Sequence, residues 1–146
     1  MSVNAPTPDQ HSEALALLAA VKYTKDDEDE AAFAACWAAG ARLEITSNGQ
    51  SAPPLDGRDS IMTFYRQVWS SGGHGLGSER ETHVAEHPHI TVLANGRLLA
   101  RHSSAFFNQR DGVPRLVGYG EFHDELIEED GALRIALRQS RLFRQK

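Results

Sequence analysis

Apolar side chains recur along this chain with two different periods, and the change of period divides it. Near the N-terminus Ala14, Leu17, Leu18 and Val21 fall on one face of a helix. Thr7 and Gln10 have capping-box spacing and Pro8 occupies the first helical position, so the helix starts at Pro8 and runs to about Lys25. The acidic run Asp26-Asp27-Glu28-Asp29-Glu30 suits the positive dipole end of a second helix. That helix carries Phe33, Cys36 and Trp37 and is expected to run to Trp37 and stop at Gly40. Arg42 to Thr46 alternates as a short strand closed by Ser47-Asn48-Gly49, and Asp56-Gly57 marks another turn. Ile61, Phe64, Tyr65 and Val68 then recur at i, i+3, i+4 and i+7, the pattern of a third helix. It ends before the glycine-rich loop from Ser70 to Gly77, where the stretch Gly72–Gly77 reads as a lid over a pocket mouth.

Beyond the loop the period falls to two. Thr82–Leu93, Arg97–Phe107, Arg115–Ile127 and Ala132–Phe143 read as strands. They are separated by Asn95-Gly96, the Asp111-Gly112 region and Asp130-Gly131. Long strands joined by tight turns predict an antiparallel meander, with the three helices over one face. The order α-α-β-α-β-β-β-β is an α+β arrangement. A strongly curved antiparallel sheet closed by helices leaves a pocket between them.

The 146 residues are one domain by size, taken as residues 1–146. Hydrophobic and charged fractions of 40% and 24% are ordinary for a globular protein and exclude disordered and fibrous classes. The longest apolar run, Ala14 to Val21, is far short of a membrane span. No basic segment followed by an apolar one opens the chain, so no secretory signal is expected. The single cysteine, Cys36, excludes an intramolecular disulfide framework and a cysteine-rich zinc site; a reducing cytoplasm is the expected compartment. A net charge of −5 without a basic stripe argues against nucleic acid as a partner.

Four stretches share a resemblance. The first is Asp26-x-x-Asp29 followed by Phe33 and Trp37, and the second Leu55-Asp56-Gly57-Arg58-Asp59-Ser60-Ile61. The third is Thr82-His83-Val84, then Ile90-Thr91-Val92 and Asn95-Gly96. The fourth is Gly120-Glu121-Phe122-His123-Asp124, then Asp130-Gly131-Ala132-Leu133-Arg134-Ile135 and Arg138. In this order and spacing they resemble the SnoaL-like members of the nuclear-transport-factor-2-like superfamily over roughly Leu15 to Arg141. The resemblance implies a cone of three N-terminal helices on a curved sheet. It leaves activity open, because that superfamily includes dehydratases, dehydrochlorinases, isomerases, epoxide hydrolases, polyketide cyclases and non-catalytic dioxygenase subunits.

In the scytalone-dehydratase-like branch an aspartate near the end of helix one pairs with a histidine on the first long strand. The resemblance places these at Asp26, or Asp27 if the register slips by one, and at His83. Elimination or isomerisation beside a carbonyl needs a group that takes a C–H proton and returns it, and imidazole does both near neutrality. A buried carboxylate on its other nitrogen fixes the tautomer. The branch often has a helix-one tyrosine that donates to the substrate oxygen. Here Tyr23 stands three residues before Asp26, whereas the position five residues before it holds Val21. His102, on the inward alternation of its strand, reads as a second polar pocket residue or a satisfied core histidine.

Trp37, Phe64 and Phe122 are expected to line the pocket, and Tyr65, Phe106 and Phe107 to pack in the core; Phe122 lacks the hydroxyl that the family favours at its position. Asp124 and Arg138 read as a structural pair across the last hairpin. His83, His87 and His89 invite a metal reading, but Pro88 interrupts the strand and no acidic partner has ligand spacing, so no metal is expected. Arg134, Arg138, Arg141, Arg144 and Lys146 read as an exposed basic edge or subunit contact. The resulting expectation is a cofactor-independent lyase or isomerase for a small, largely apolar, oxygenated metabolite, assembled as a homodimer or homotrimer. The competing readings are a hydrolase or cyclase using the same dyad, and a non-catalytic binding or structural subunit.

Overall fold

A computed structural model describes residues 4–71, 81–110 and 112–145. Helix α1 (Pro8–Asp26) opens on a complete capping box: Thr7 Oγ1 accepts from the Gln10 N–H at 3.2 Å, and Gln10 Oε1 accepts from the Thr7 N–H at 2.9 Å. Its buried stripe is Ala14, Leu17 and Val21, and the last turn adds Lys25 and Asp26. Asp29 caps α2 (Glu30–Ala35) by accepting from the Ala32 N–H at 3.1 Å. The second helix is shorter than the sequence pattern predicts. Trp37 already opens strand β1 (Trp37–Ser47), because the Ile135 N–H bonds the Cys36 carbonyl at 2.8 Å and draws the apolar run Trp37, Ala38, Ala41, Leu43 into the sheet. Strands β2 (Gln50–Ser51) and β3 (Leu55–Asp56) pair with β1, and α3 (Arg58–Ser70) buries Ile61, Met62 and Tyr65. The glycine-rich stretch read as a lid, Gly72–Gly77, lies outside the described residues.

The remaining strands are β4 (Glu81–Ala85), β5 (His89–Val92), β6 (Leu98–Arg110), β7 (Val113–Glu129) and β8 (Ala132–Arg144). Strands β6, β7 and β8 form the expected antiparallel meander. The stretch expected as one strand, Thr82–Leu93, is two. Both halves pair with β6, but Pro88 has no N–H to offer and falls between them.

The sheet is mixed rather than antiparallel throughout. Strand β1 runs parallel to β8, with Leu43 opposite Arg138 and Ile45 opposite Ser140, in the order β2-β1-β8-β7-β6-β4. Alternation reports which face a residue takes, not the direction of its partner strand. This pairing also corrects the reading of the basic C-terminal strand as an exposed edge. Strand β8 lies between β1 and β7, and Arg138 is buried within the fold. Arg144 pairs with Glu81 at 2.5 and 3.0 Å, and Arg134 bonds the Ala35 carbonyl at 2.5 Å.

The helices seat on one sheet face through an aromatic cluster. The Phe33 ring meets Tyr65 at 4.7 Å, Trp69 at 5.7 Å and Trp37 at 5.9 Å, all edge to face. Trp69 Nε1 donates to the Lys25 carbonyl at 3.1 Å, which fixes the end of α1 against α3. On this face two cross-strand rows form a floor: His102, Phe122, Ser140 and Ile45, and His83, Phe106 and Gly118. Among the described residues no helix is long and apolar enough to cross a membrane.

Glycine is required in that floor for space. A Cβ on Gly120 would stand 2.8 Å from Cζ of both Phe106 and Phe122, whereas one on Gly118 would stand 2.9 Å from the Phe143 carbonyl oxygen. Rings can turn and a strand carbonyl cannot. Gly118→Ala is therefore expected to cost about 1–3 kcal/mol in chemical denaturation, more than Gly120→Ala does. The reverse order would overturn this account.

Candidate functional site

The end of α1 and the start of β4 meet beneath the helices. Asp26 and His83 are each 4% exposed, and His83 Nδ1 lies 2.8 Å from Asp26 Oδ1. The His83 backbone N–H donates to the other carboxylate oxygen at 3.3 Å. Asp27 is the exposed C-cap of α1, so Asp26 holds the inward position. A carboxylate at a helix C-terminus opposes the dipole. Here it is compensated by the two His83 donors and by Lys22, whose Nζ lies 3.9 Å from Oδ2.

The electrostatics assign the protonation states. Burial raises the Asp26 pKa, but the hydrogen bond and charge of His83, with Lys25, outweigh it and bring it below the usual carboxylate range. Burial and the positive charge of Lys25 lower the His83 pKa, and the opposing pull of Asp26 does not restore it. The pair is then a carboxylate and a neutral imidazole whose Nδ1–H faces the carboxylate, with the lone pair on Nε2. A neutral imidazole held in one tautomer is ready to accept a proton.

A second polar group sits in the same floor. Arg138 bonds Asp124 through two 2.7 Å contacts, and His102 Nε2 reaches the same carboxylate at 2.7 Å. Asp124 is fully buried. Burial raises its pKa, yet the charge and hydrogen bonds of Arg138 and His102 hold it far below the usual range. The Arg138 guanidinium lies 5.1 Å from the Phe122 ring and 5.7 Å from that of Trp37, and the His102 ring stacks on Phe122 at 5.1 Å.

Two small cavities adjoin the dyad, of about 60 and 100 Å³, and Lys25, His83 and Phe122 line both. His102 and Arg138 line the smaller; Phe64, Tyr65 and Phe106 line the larger. A larger hollow of about 470 Å³ lies across Arg42, Glu44, Thr46, Glu121 and Arg141 on the opposite sheet face; it holds neither dyad residue. The buried Asp26–His83 pair, not the volume, makes this the candidate site.

The residues singled out from the sequence divide accordingly. Asp26, His83, His102 and Phe122 converge, and Phe64 reaches the larger cavity. Tyr23 does not: it is 60% exposed, with the Lys22 ammonium 3.9 Å from its ring centre, and it lines neither cavity. Two residues after Val21 it has rotated off the buried stripe of α1. Trp37 is fully buried and packs beneath Arg138 without lining either cavity. His87 and His89 are exposed, and no metal-binding group of three His, Cys, Asp or Glu occurs among the described residues.

The residue that sequence reasoning missed is Lys25. It follows Val21 by one helical turn, so the apolar stripe itself points to it. It is 8% exposed. Burial, aided by the charge of Arg138, lowers its pKa from 10.5 to about 8.

Residues 9–139 match the model of the SnoaL-like domain. Among solved structures the chain is similar to Aln2 from a Streptomyces species, with a TM-score of 0.77 and 18% identity over 94% of this chain and 93% of that one. It is similar to ActVI-ORFA from Streptomyces coelicolor, with a TM-score of 0.74 and 18% identity over 89% and 94%. It is also similar to the beta subunit of a putative aromatic-ring-hydroxylating dioxygenase from Novosphingobium aromaticivorans, with a TM-score of 0.73 and 16% identity over 93% and 90%. No curated protein matches it in sequence. At these identities the likeness is one of fold.

The charges make two stability predictions. Between about pH 8 and 10.5 the unfolded chain holds the Lys25 proton and the folded chain does not, so this group makes stability rise with pH there. Lys25→Met is accordingly expected to stabilise the protein at pH 7, by on the order of 3 kcal/mol, with the gain shrinking towards pH 10 in denaturant titrations. Asp124→Asn, which strands the buried Arg138, is expected to cost about 3–5 kcal/mol in the same assay.

Proposed function

The chain belongs to the SnoaL-like family, and within it we propose that this protein is a cofactor-independent lyase or isomerase. Its substrate is a small, largely apolar, oxygenated metabolite, and the reaction is an elimination or a proton transfer next to a carbonyl. The observation that carries this reading is the buried Asp26–His83 pair, with the imidazole neutral and its tautomer set by the carboxylate. His83 takes the proton from carbon and returns it to a leaving group or a second carbon. Asp26 orients the ring and stabilises the imidazolium formed in between. His102, anchored by Asp124, stands at the smaller cavity as the polar group that positions the substrate oxygen. Activation of water by the same dyad gives a hydrolase or a cyclase. We place the protein in the cytoplasm as a homodimer or homotrimer, with no nucleic acid or membrane partner.

Non-catalytic binding or structural service is the second reading. It draws on the likeness to the dioxygenase beta subunit and on cavities well below the roughly 300–1,000 Å³ of an ordinary ligand pocket. Gel filtration with a candidate large subunit separates the two, because an acid–base enzyme elutes unchanged.

The direct test follows deuterium from solvent into a panel of small cyclic and aromatic ketones. Wild type is expected to accelerate exchange beside the carbonyl, and His83→Gln to lose about 10²–10⁴ of that acceleration. The rate should rise with pH through an apparent pKa below that of free imidazole and then level off. Ring-proton NMR should find His83 titrating lower still in Asp26→Asn, because the carboxylate is what pulls it up. Exchange indifferent to His83, or a His83 titration indifferent to Asp26, would sink the proposal.

A further inference from the structure

Among the described residues the buried and half-buried carboxylates near the dyad already have cations. Asp26 takes His83 and Lys22, Asp124 takes Arg138 and His102, and Glu81 takes Arg144. Lys25 is left over. Its side chain is more than nine-tenths buried, and among the described residues no carboxylate lies within 4.0 Å of its ammonium. From the end of α1 it lines both cavities, as His83 and Phe122 do. Buried charges are almost always paired, and a lysine kept here without a partner costs the fold stability. The missing counter-charge is therefore sought in the ligand.

We propose that Lys25 is a ligand-binding residue whose ammonium receives an anionic oxygen, so that the site selects molecules carrying a phenolate, enolate or similar delocalised oxyanion. This deepens the acid–base reading of the same site and rests on it. When His83 removes a proton from the carbon beside a carbonyl, the C–H electron pair moves into the new C=C bond. The C=O π pair then moves onto oxygen, and the enolate oxygen meets the Lys25 ammonium. The proton stays on His83 until it is returned to carbon or to a leaving group. Stabilisation of this kind acts where charge develops, and burial strengthens it. It supplies from Lys25 the contact that Tyr23, pointing into solvent, does not make. The lowered pKa of Lys25 still leaves the amine mostly protonated at neutral pH, and a bound oxyanion raises it further.

The test uses 4-nitrophenol, whose ionised form absorbs visible light and whose neutral form does not. At a pH where the free phenol is mostly protonated, wild type is expected to bind it as the phenolate and develop the yellow band. Lys25→Met should lose the band and bind at least about tenfold more weakly, the scale of one charge-assisted hydrogen bond. Lys25→Arg should restore the band in part, and Lys22→Gln, which removes an ammonium already paired with Asp26, should keep it. Absence of binding, binding only of the neutral phenol, or a band that survives in Lys25→Met would overturn the proposal. His83→Gln separates it from the reading it rests on, since that variant keeps the band while losing ketone exchange. Wild type with the band but no exchange sinks the acid–base reading alone; exchange without the band sinks this one alone.

Discussion

Arg138 and Asp124 meet on the helix-covered face of the sheet through two 2.7 Å hydrogen bonds, and neither is tolerable there without the other. The rest of the interior is arranged around this pair. Asp124 lies on β7 and Arg138 on β8, so the ion pair crosses the last hairpin, and its third partner, His102, brings in β6. With its hydrogen bonds directed at the carboxylate, the guanidinium presents its faces to Trp37 and Phe122. Trp37 joins the aromatic cluster beneath the helices, and Phe122 forms a wall of both cavities. A pairing that resembles a hairpin staple is thus the connection between core and site.

The same pair sets the charge of the neighbourhood. Asp124 stays ionised, so Arg138 stays satisfied, yet its positive field still reaches the end of α1 and helps to depress Lys25. Lys25 in turn helps to depress His83, while Asp26 pulls the other way. The neutral imidazole is the outcome of this balance together with burial, not a property of the Asp26–His83 contact alone. Removing any one charge shifts the others, so substitutions in this cluster are expected to be non-additive. The groups ride on a helix end tied to α3 by Trp69 and on strands held in register, elements stiff enough to keep such a balance.

Structures at 16–18% identity share this architecture with TM-scores of 0.73–0.77, and one of them is a dioxygenase beta subunit. Backbone likeness at that level carries no chemistry. What distinguishes one such interior from another is which polar side chains it buries and how their charges cancel. Here, among the described residues, the buried Lys25 ammonium has no carboxylate within 4.0 Å, and an anionic ligand oxygen is its proposed partner.

Local features of this protein were legible in the amino-acid order alone. The capping box at Thr7, the third helix, the turns at Asn95-Gly96 and Asp130-Gly131 and the long strands that follow them rest on neighbours within a few residues, and the SnoaL-like motifs were legible in their order along the chain. The pairing of Asp26 with His83 was accessible only through the family resemblance, because 57 residues separate them and no periodicity links them. Tertiary structure decided the rest. It moved Trp37 from a helix into β1, since the partner that claims it, Ile135, lies nearly a hundred residues away. It set β1 parallel to β8, which alternation cannot encode, and so turned an apparent basic edge into an interior strand. It also placed Lys25 inside and Tyr23 outside. The stripe Ala14, Leu17, Val21 points to position 25, but a lysine there reads as the solvated end of a helix until the sheet closes over it. Periodicity specifies which residues share a face; burial of a charge is settled by what packs against that face and by which other charges are already spoken for.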